Sequence, residues 1–308
     1  STPSNSSAAS DVYKRQYFDM EAIVNMACGL ANRMFQYSYY LYLKKRGWQV
    51  TVDFYRKSKL PHENVDWEHI FPNAKIEQAS KIEVLIKGGG AYALSKIRRR
   101  YLPWTTQVFE MPTAFTVELP RENGQYMMGV FQNADMVEDV KDEILKAFAF
   151  HPFSGGENFR LMNEMLNNKH SVGVHVRKGK DYTKRELYQN TCSIEYYKNA
   201  VEYLKEKIRS PKFYVFTDSP EWVNKNFSFL DYTLVEGNPC VGWGSHFDMQ
   251  LMSCCHHNII SNSTYSWWGA FLNKNEDRIV ICPQVWFNPQ CCDEWDSMPI
   301  CCKTWIAL

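Results

Sequence analysis

The stretch from Asp248 to Leu272 constrains the fold of this chain more than any other. It starts with helical spacing, passes into Asn258–Ile260, which predicts a buried strand, and then turns through Ser261–Thr264 into a second helix, Tyr265–Leu272. A helix start carries unpaired N–H donors and a partial positive charge, and open α/β sheets bind ligands outside the carboxyl ends of their strands. The order therefore favours an α/β fold with a phosphate-binding turn. The alternative is that Ser263 only caps a helix.

A second predicted strand, Ser171–Val176, leads directly into a basic turn. Its valines alternate with Gly173 and His175, which predicts that His175 lies on the opposite face from the valines and outside the core. The next residue is Arg177, and a guanidinium at a strand end can hold a diphosphate through two hydrogen bonds. A solvated basic turn is the alternative.

A third predicted strand, Lys212–Thr217, ends at Asp218, and Pro220 favours a helix start just beyond it. The Asp218 carboxylate either caps that helix or faces the same crevice as Arg177. Three strand ends that carry polar residues predict one nucleotide site in a Rossmann-like half of the chain.

The N-terminal half opens with a strand–helix–strand pattern. The predicted elements are a strand at Ile23–Asn25, a turn of small residues at Ala27–Arg33, a helix at Met34–Lys45 and a strand at Trp48–Asp53. The turn is like a phosphate loop in position. It contains neither G-x-G-x-x-G nor a P-loop, so it identifies no ligand by itself.

Four segments, in this order, resemble the motifs of the bacterial α-1,2-fucosyltransferases, glycosyltransferase family 11. Gly29–Ser38 is similar to G-x-L-G-N-Q-M-F-Q-Y-A, and His175–Tyr182 is similar to H-x-R-R-G-D-Y. Phe216–Asp218 matches a strand that ends in Ser/Thr-Asp, and Asn262–Leu272 resembles N-S-T-F-S-W-W-G-A-W-L. The resemblance spans about residues 21–305.

The chain departs from these motifs at a few positions. Ala31 and Arg33 replace the usual Gly and Gln, Lys178 replaces the second Arg, and Lys180 is an extra residue before Asp181. Ala31 raises the question of whether the turn needs a positive φ, which alanine tolerates poorly. Arg33 places a charge where an amide is expected, which bears on acceptor choice, and Lys180 bears on the position of Asp181.

The resemblance implies an α/β, GT-B-type architecture of two Rossmann-like domains that face a cleft. The donor would be GDP-β-L-fucose, and the acceptor a galactose-terminated oligosaccharide or glycolipid on the side of Asn32, Arg33 and Gln36. Transfer would form an α-1,2 linkage with inversion, without an essential metal or other cofactor. Two alternatives stay open: another GDP-sugar transferase with a different linkage or acceptor, and a catalytically silent protein that binds GDP or a sugar.

The resemblance also implies roles for residues of the C-terminal half. Arg177 would hold the diphosphate, His175 would lie against the nucleotide, and Asp248 would bind guanine, because a carboxylate can accept from both N1–H and the exocyclic amine. The residues expected to bind the donor are Arg177, Lys178, Asp218, Asp248, Ser261, Asn262, Ser263 and Thr264.

Departure of GDP leaves negative charge on the β-phosphate, which Arg177 and helix N–H groups would stabilise. One such donor is typically worth about 3 kcal/mol in the transition state. Inversion also needs a base near the galactose 2-hydroxyl. Asp181 is the first candidate for this base, with Glu186 and His175 behind it.

Cysteines offer little evidence for a metal. Cys254–His257 has metal-binding residue types, but four consecutive helical residues cannot all face one ion. For the pairs Cys291-Cys292 and Cys301-Cys302, bridging between the pairs and unpaired thiols are both open. Ten cysteines without a recognisable signal peptide fit a reducing cytosol, so we expect a cytoplasmic protein.

Composition limits the partners. A net charge of +1 disfavours a general nucleic-acid-binding role, and no run of 18 apolar residues is present to form a transmembrane helix. The basic run Lys96–Arg100 is either a solvated helix face or a weak peripheral contact with the inner face of an anionic membrane.

The length of 308 residues suits two domains. We expect a non-native or disordered prefix at 1–19, an acceptor-side domain at 20–150, a linker near His151–Gly156, and a donor-binding domain at 157–308 whose tail crosses back. Acceptor specificity is expected to lie in Ser58–Asn123.

Overall fold

The computed structural model describes residues 20–54, 63–89, 92–291 and 300–308. These residues form two compact units. The first contains the described residues up to Asn64 together with Pro72–Ala147, and the second contains Val65–Phe71 and the described residues from Phe148 onward. The predicted division had placed Val65–Phe71, called the inserted segment below, in the first domain. The prefix 1–19 lies outside the described residues.

The helices and strands alternate along the chain. The first unit and the short inserted segment contain β1 (Glu21–Asn25), α1 (Leu30–Lys45), β2 (Gln49–Asp53), α2 (Trp67–Ile70), α3 (Lys81–Lys87), α4 (Tyr92–Tyr101), β3 (Val108–Glu110), β4 (Gln125–Met128), α5 (Ala134–Asp139) and α6 (Lys141–Ala147). The remainder contains α7 (Gly156–Leu166), β5 (Ser171–Val176), α8 (Lys180–Thr183), α9 (Ile194–Lys207), β6 (Lys212–Thr217), α10 (Pro220–Asn226), β7 (Tyr232–Leu234), α11 (Phe247–Cys254), β8 (His257–Ile259), α12 (Thr264–Phe271), β9 (Val280–Cys282) and β10 (Ile306–Ala307).

Each unit is built on a parallel sheet. The strand order is β2-β1-β4-β3 in the first unit and β10-β9-β8-β5-β6-β7 in the second, and every described pair is parallel. Helical connections between parallel strands are the pattern of Rossmann-like folds. The α/β class and the two Rossmann-like units expected of a GT-B-type chain are confirmed.

The turn after β1 differs from its prediction. Helix α1 begins at Leu30 rather than Met34, so Ala31 and Arg33 belong to its first turn. The positive φ falls on Cys28, at 70°, and not on Ala31. Ala31 is therefore accommodated, because the left-handed conformation that would strain it lies three residues earlier.

The second sheet is buried on both faces. The valines of β5 pack with Tyr197, Val201 and Leu204 of α9 on one face. On the other face, Tyr214 and Phe216 of β6 pack with residues of α7 and α11. Burial on both sides explains why these strands are almost continuously apolar.

The inserted segment and the end of the chain both pack within the second unit. Trp67 contacts the edge of the Phe148 ring, which in turn meets the edge of Trp268 in α12. Strand β10 pairs with β9, so the described end of the chain extends this sheet, whereas we had expected the tail to cross back.

Helices α11 and α12 pack closely through a glycine. A Cβ built on Gly269 would lie 2.9 Å from the Cβ of Met252, closer than real Cβ contacts allow. The neighbouring Trp267 and Trp268 are fully buried, as expected for core residues. The pair of helices matters because α11 carries Asp248 and α12 follows the predicted phosphate turn.

Within the described residues, no helix is both long enough and apolar enough to span a bilayer. The basic run lies on α4, where Arg98 donates to the carbonyl of Leu85 at 2.7 Å and Arg99 pairs with Glu110 at 3.0 Å. These two arginines are thus engaged within the first unit.

Replacing Gly269 with alanine should destabilise the protein by about 1–3 kcal/mol, because the added methyl overpacks the α11–α12 contact. Alanine is intrinsically the better helix residue by about 1 kcal/mol, so any net loss must come from the clash. Urea unfolding would measure it. Gly155→Ala is the matched control, since a Cβ there meets no atom within 4 Å. Equal stability of both variants would contradict the packing argument.

Candidate functional site

The predicted site residues of the second unit converge on one edge of its sheet. Strands β8, β5 and β6 are neighbours and parallel, so their carboxyl ends lie side by side. Ser261 follows β8, Arg177 follows β5, and Asp218 follows β6. This arrangement is the usual location of a ligand crevice in an open α/β sheet.

Asp218 ties the ends of β5 and β6 together. Its Oδ1 accepts from the backbone N–H groups of Lys178 at 2.8 Å and Gly179 at 2.9 Å, while its Oδ2 lies 3.2 Å from Nε of Arg177. The helix that follows has Ser219 as its N-cap, without a side-chain cap bond. Of the two predicted roles, the structure therefore supports a carboxylate that faces the strand ends and orients Arg177.

Arg177 keeps its side chain about one-third exposed at the sheet edge. Its guanidinium carbon lies 5.6 Å from the ring centroid of Tyr182, whose hydroxyl donates to the carbonyl of Asn262 at 3.2 Å. Arg177 is thereby linked to the turn after β8. Lys178 points elsewhere: its ammonium lies 5.3 Å from the ring centroid of Trp222, and burial lowers its pKa.

His175 is buried, contrary to the expectation that it lies outside the core. It does occupy the face opposite Val174 and Val176, as the alternation predicted, but helices cover that face: its register partner Phe216 packs with residues of α7 and α11, and Tyr265 of α12 lies beside His175. Its Nδ1 lies 2.7 Å from the hydroxyl of Ser261, and its ring is 6.0 Å from that of Tyr265. Burial and, to a smaller extent, Arg177 lower the pKa of His175 to about 3, so the imidazole is neutral at pH 7.

The turn Ser261–Thr264 divides into two halves. Ser261 is fully buried against His175, and the Asn262 side chain donates to the carbonyl of Trp286 at 2.9 Å and accepts from the Cys192 thiol at 3.4 Å. These two side chains hold the turn in place. Ser263 and Thr264 are half-buried at the start of α12, and Ser263 makes no side-chain cap bond. Ser263 thus occupies the N-cap position of α12 without the side-chain bond of a capping residue, and its role in phosphate binding stays a prediction.

Asp248 lies in the first turn of α11, at the end of a chain of hydrogen bonds that runs from Asn158 of α7 through Asn238 of the loop before α11. Asn158 donates to Asn238 at 2.7 Å, and Asn238 donates to Oδ1 of Asp248 at 2.7 Å. Burial raises the pKa of Asp248, and the bond from Asn238 opposes that rise. One carboxylate oxygen of Asp248 is thus fixed by the protein.

Tyr265 connects the start of α12 with the helix that carries Asp248. The Tyr265 hydroxyl accepts from the backbone N–H of Met249 and donates to the carbonyl of Ser245, both at 2.9 Å, so the start of α12 is tied to the first turn of α11.

Sequence reasoning missed Asn238 and Tyr265. The dipeptide Asn238-Pro239 is a turn signal just before α11, but nothing in it indicates a bond to Asp248. Tyr265 had been read only as the first residue of a helix.

Of the two carboxylates proposed as bases, Asp181 and Glu186, the structure describes only the side chain of Glu186. The side chain of Asp181 lies outside the described residues, so the prediction for it stays a prediction. Glu186 begins a short 3-10 helix, Glu186–Tyr188, and is exposed.

The residues predicted on the acceptor side occupy α1 of the first unit. Arg33 is buried, donating to the carbonyls of Cys28 at 2.9 Å and Glu63 at 2.6 Å. Gln36 accepts from Ala27 N–H at 2.9 Å and donates to the Gly129 carbonyl at 2.8 Å. Both side chains stabilise the loops around α1.

Asn32 is the half-buried member of this group, and its side-chain oxygen accepts from Gln132 at 3.0 Å.

Among the described residues, no cluster of three or more His, Cys, Asp or Glu side chains could hold a metal ion. His256 pairs with Asp277 at 2.7 Å, and Nδ1 of His257 accepts from the N–H of Ile279 at 3.0 Å. Cys292 lies outside the described residues, so both predictions for the C-terminal cysteine pairs remain open.

A parallel sheet whose adjacent strand ends carry an oriented arginine, a buried histidine and a helix start is an α/β arrangement that typically binds ligands outside its strand ends. The family model of glycosyl transferase family 11 matches residues 9–308. The chain belongs to this family.

Several characterised relatives are similar along much of the chain. An Escherichia coli O-antigen biosynthesis glycosyltransferase, WbnK, is 27% identical over 84% of this chain and 92% of its own length. An alpha-1,2-colitosyltransferase, also from Escherichia coli, is 29% identical over 59% of this chain and 61% of its own length. The solved fucosyltransferase NodZ from Bradyrhizobium is 14% identical, with a TM-score of 0.49, over 82% of this chain and 92% of that one, a likeness too weak to bear on function.

Acidification should destabilise the second unit through its buried histidines. Some groups have a lower pKa in the folded protein than in the unfolded chain. The stability that such a group contributes is fully present above its unfolded-state pKa and is lost as the pH falls toward its folded-state pKa. For His175 that window runs from pH 6.5 down to about 3. The melting temperature should therefore drop across this range, and His175→Asn should flatten the drop. Exposed His170→Asn is the control; an identical pH dependence in both variants and the parent protein would refute the assignment.

Proposed function

We propose that this chain is an inverting galactoside α-1,2-fucosyltransferase that transfers L-fucose from GDP-β-L-fucose to the 2-hydroxyl of a terminal galactoside without an essential metal. Family membership and the relatives with alpha-1,2 specificity support the reaction class. The observation that carries the proposal is Arg177, held by Asp218 at the strand ends and linked through Tyr182 to the turn that starts α12.

The donor diphosphate binds between Arg177 and the start of α12. The guanidinium offers paired N–H donors to phosphate oxygens, and the helix start adds backbone donors with a partial positive charge. Ser263 and Thr264 contribute hydroxyls there, while Ser261 and Asn262 hold the turn. Asp248 accepts from guanine, with its orientation fixed by Asn238.

In the reaction, the galactose 2-hydroxyl oxygen attacks C1 of fucose as the bond from C1 to the β-phosphate oxygen breaks. Attack from the face opposite GDP converts the β-linked donor into an α-linked product. Negative charge grows on the β-phosphate in the transition state, and Arg177 stabilises it. Asp218 keeps the guanidinium in position, so little reorganisation is needed when the charge develops.

A base must take the proton from the 2-hydroxyl. His175 suits this role poorly, because its pKa of about 3 makes it a weak base at neutral pH and its Nδ1 is paired with Ser261. Asp181 takes the proton, with Glu186 as the second candidate. His175 instead supports the turn against which the nucleotide lies.

The acceptor binds on the side of α1. Because Arg33 and Gln36 are buried and bonded to loop carbonyls, Asn32 is the residue of the first motif that contacts the acceptor.

Turnover tests the proposal directly. With GDP-fucose, lactose and EDTA, the protein should release GDP and form a trisaccharide whose α-1,2 linkage NMR identifies. Arg177→Ala should lower kcat about 10²–10³-fold, the usual cost of losing one donor to a developing oxyanion. Arg177→Lys should retain part of the activity, since it keeps the charge and loses the paired geometry. Exposed Arg209→Ala is the control. Full activity in Arg177→Ala, or a strict metal requirement, would contradict the mechanism.

Base selectivity tests the role of Asp248 independently of turnover. GDP should bind more tightly than IDP, which lacks the exocyclic amine. Asp248→Asn should weaken GDP binding and narrow the difference between the two nucleotides, because the amide is uncharged and has a donor NH2 in place of the second acceptor oxygen. Calorimetric titration measures each affinity. Exposed Asp231→Asn should leave the ratio unchanged. An unaltered GDP/IDP ratio in Asp248→Asn would place guanine elsewhere.

A second candidate donor follows from the alpha-1,2-colitosyltransferase relative. Colitose is L-fucose without its 3-hydroxyl, so the same diphosphate and guanine contacts would serve both. Parallel assays with GDP-fucose and GDP-colitose separate the candidates. GDP binding without turnover on either donor across an acceptor array would instead support a catalytically silent protein.

A further inference from the structure

A cavity of about 470 Å³ opens in the second unit at the N-terminal ends of α7 and α11. This volume lies within the range of small-ligand sites. Its walls come from the loops before these helices, from His69 and Ile70 of the inserted segment, and from the loop around Trp243. None of the donor-binding side chains proposed above lines it.

One wall is aromatic. Trp243 is 59% exposed and lines the cavity together with Phe153 and Phe247. The His69 ring meets the indole edge to face, with centroids 3.9 Å apart and planes at 70°. Because these two rings are not parallel, they cannot sandwich a flat base, whereas one indole face suits the C–H groups of a pyranose ring.

A buried nitrogen faces the same space. His246 is 6% exposed, lines the cavity and stacks on Phe150, yet its Nδ1 has no hydrogen-bond partner. An unpaired buried polar atom is costly, so it marks a place where a partner belongs. Burial, with smaller effects of His69 and His151, lowers the pKa of His246 to about 4, so the neutral ring can pair with a hydroxyl.

The charges around the cavity define the ligand further. Glu157 and Glu236 line it, with Arg160 pairing with Glu157 at its margin, and among the described lining residues there is no lysine or arginine. Glu157 is thus neutralised by Arg160, while Glu236 adds a carboxylate to a lining that has no lysine or arginine among its described residues, which disfavours phosphate and other anions. Asn158 and Asn238 also line the cavity; their amides take part in the bonds that lead to Asp248, and the hydrogen-bonding capacity beyond those bonds is of the kind that sugar hydroxyls use.

We propose that this cavity is a binding site for a neutral saccharide unit, stacked on Trp243 and hydrogen-bonded to Nδ1 of His246. The site is separate from the proposed transfer chemistry and depends on the proposed function only in the choice of galactosides as first probes. A second sugar site of this kind would retain a glycan chain near the enzyme while its terminus reacts.

The test uses the full chain labelled with 5-fluorotryptophan, in which Trp243→Phe identifies the Trp243 resonance in the fluorine NMR spectrum. Methyl β-galactopyranoside should shift this resonance in a saturable way and leave the resonance of exposed Trp104 in place. His246→Phe keeps the ring stacked on Phe150 and removes the nitrogen, so it should weaken sugar binding about tenfold or more, the effect expected when one well-placed contact is lost.

Three comparisons make the result decisive. The corresponding galactosiduronate, an anion, should bind more weakly, and saturating GDP should leave the sugar-induced shift intact. No shift with the galactoside, an unchanged affinity in His246→Phe, or displacement of the sugar by GDP would overturn the proposal. So would a shift caused by galactosamine alone, which would assign the cavity to a cation. Because the readout needs neither donor nor turnover, its failure is distinguishable from failure of the transfer reaction.

Discussion

The geometry of the site depends on one carboxylate. Asp218 spans the ends of two neighbouring strands by accepting from the backbone of Lys178 and Gly179 and by pairing with Arg177. This contact sets the direction of the basic turn after β5 at the sheet edge. A charged hydrogen bond of this kind, one-fifth or less exposed on the Asp218 side, is stronger than its solvated equivalent.

The opposite side of the site is fixed in a similar way, by polar side chains whose hydrogen bonds go to other parts of the protein. His175 and Ser261 join β5 to the turn after β8, and Tyr265 joins the start of α12 to α11. Close packing at Gly269 brings the same two helices together. The groups left to meet a ligand are therefore few, and they sit on rigid supports, which is the condition for electrostatic stabilisation without reorganisation.

Much of this organisation was predictable from local patterns. The alternation in β5, the apolar run of β6 and the turn before α12 gave the strands and helices within a few residues, because burial on both faces and turn chemistry leave clear signals. The resemblance of four motifs identified the family. What the patterns did not reveal was the structural use of polar residues: Arg33, Ser261 and Asn262, predicted as ligand contacts, are each hydrogen-bonded to the protein itself.

The sequence by itself determined the α/β class, the strand ends that carry Arg177 and Asp218, and membership of the family. These follow from periodicity and short motifs, which are local properties. Only the tertiary structure decided which polar groups remain for a ligand, because hydrogen bonds such as Lys178 N–H to Asp218 and His175 to Ser261 join residues far apart in the chain. It also revealed the cavity beside Trp243 and His246, since the segments that line it meet only after folding.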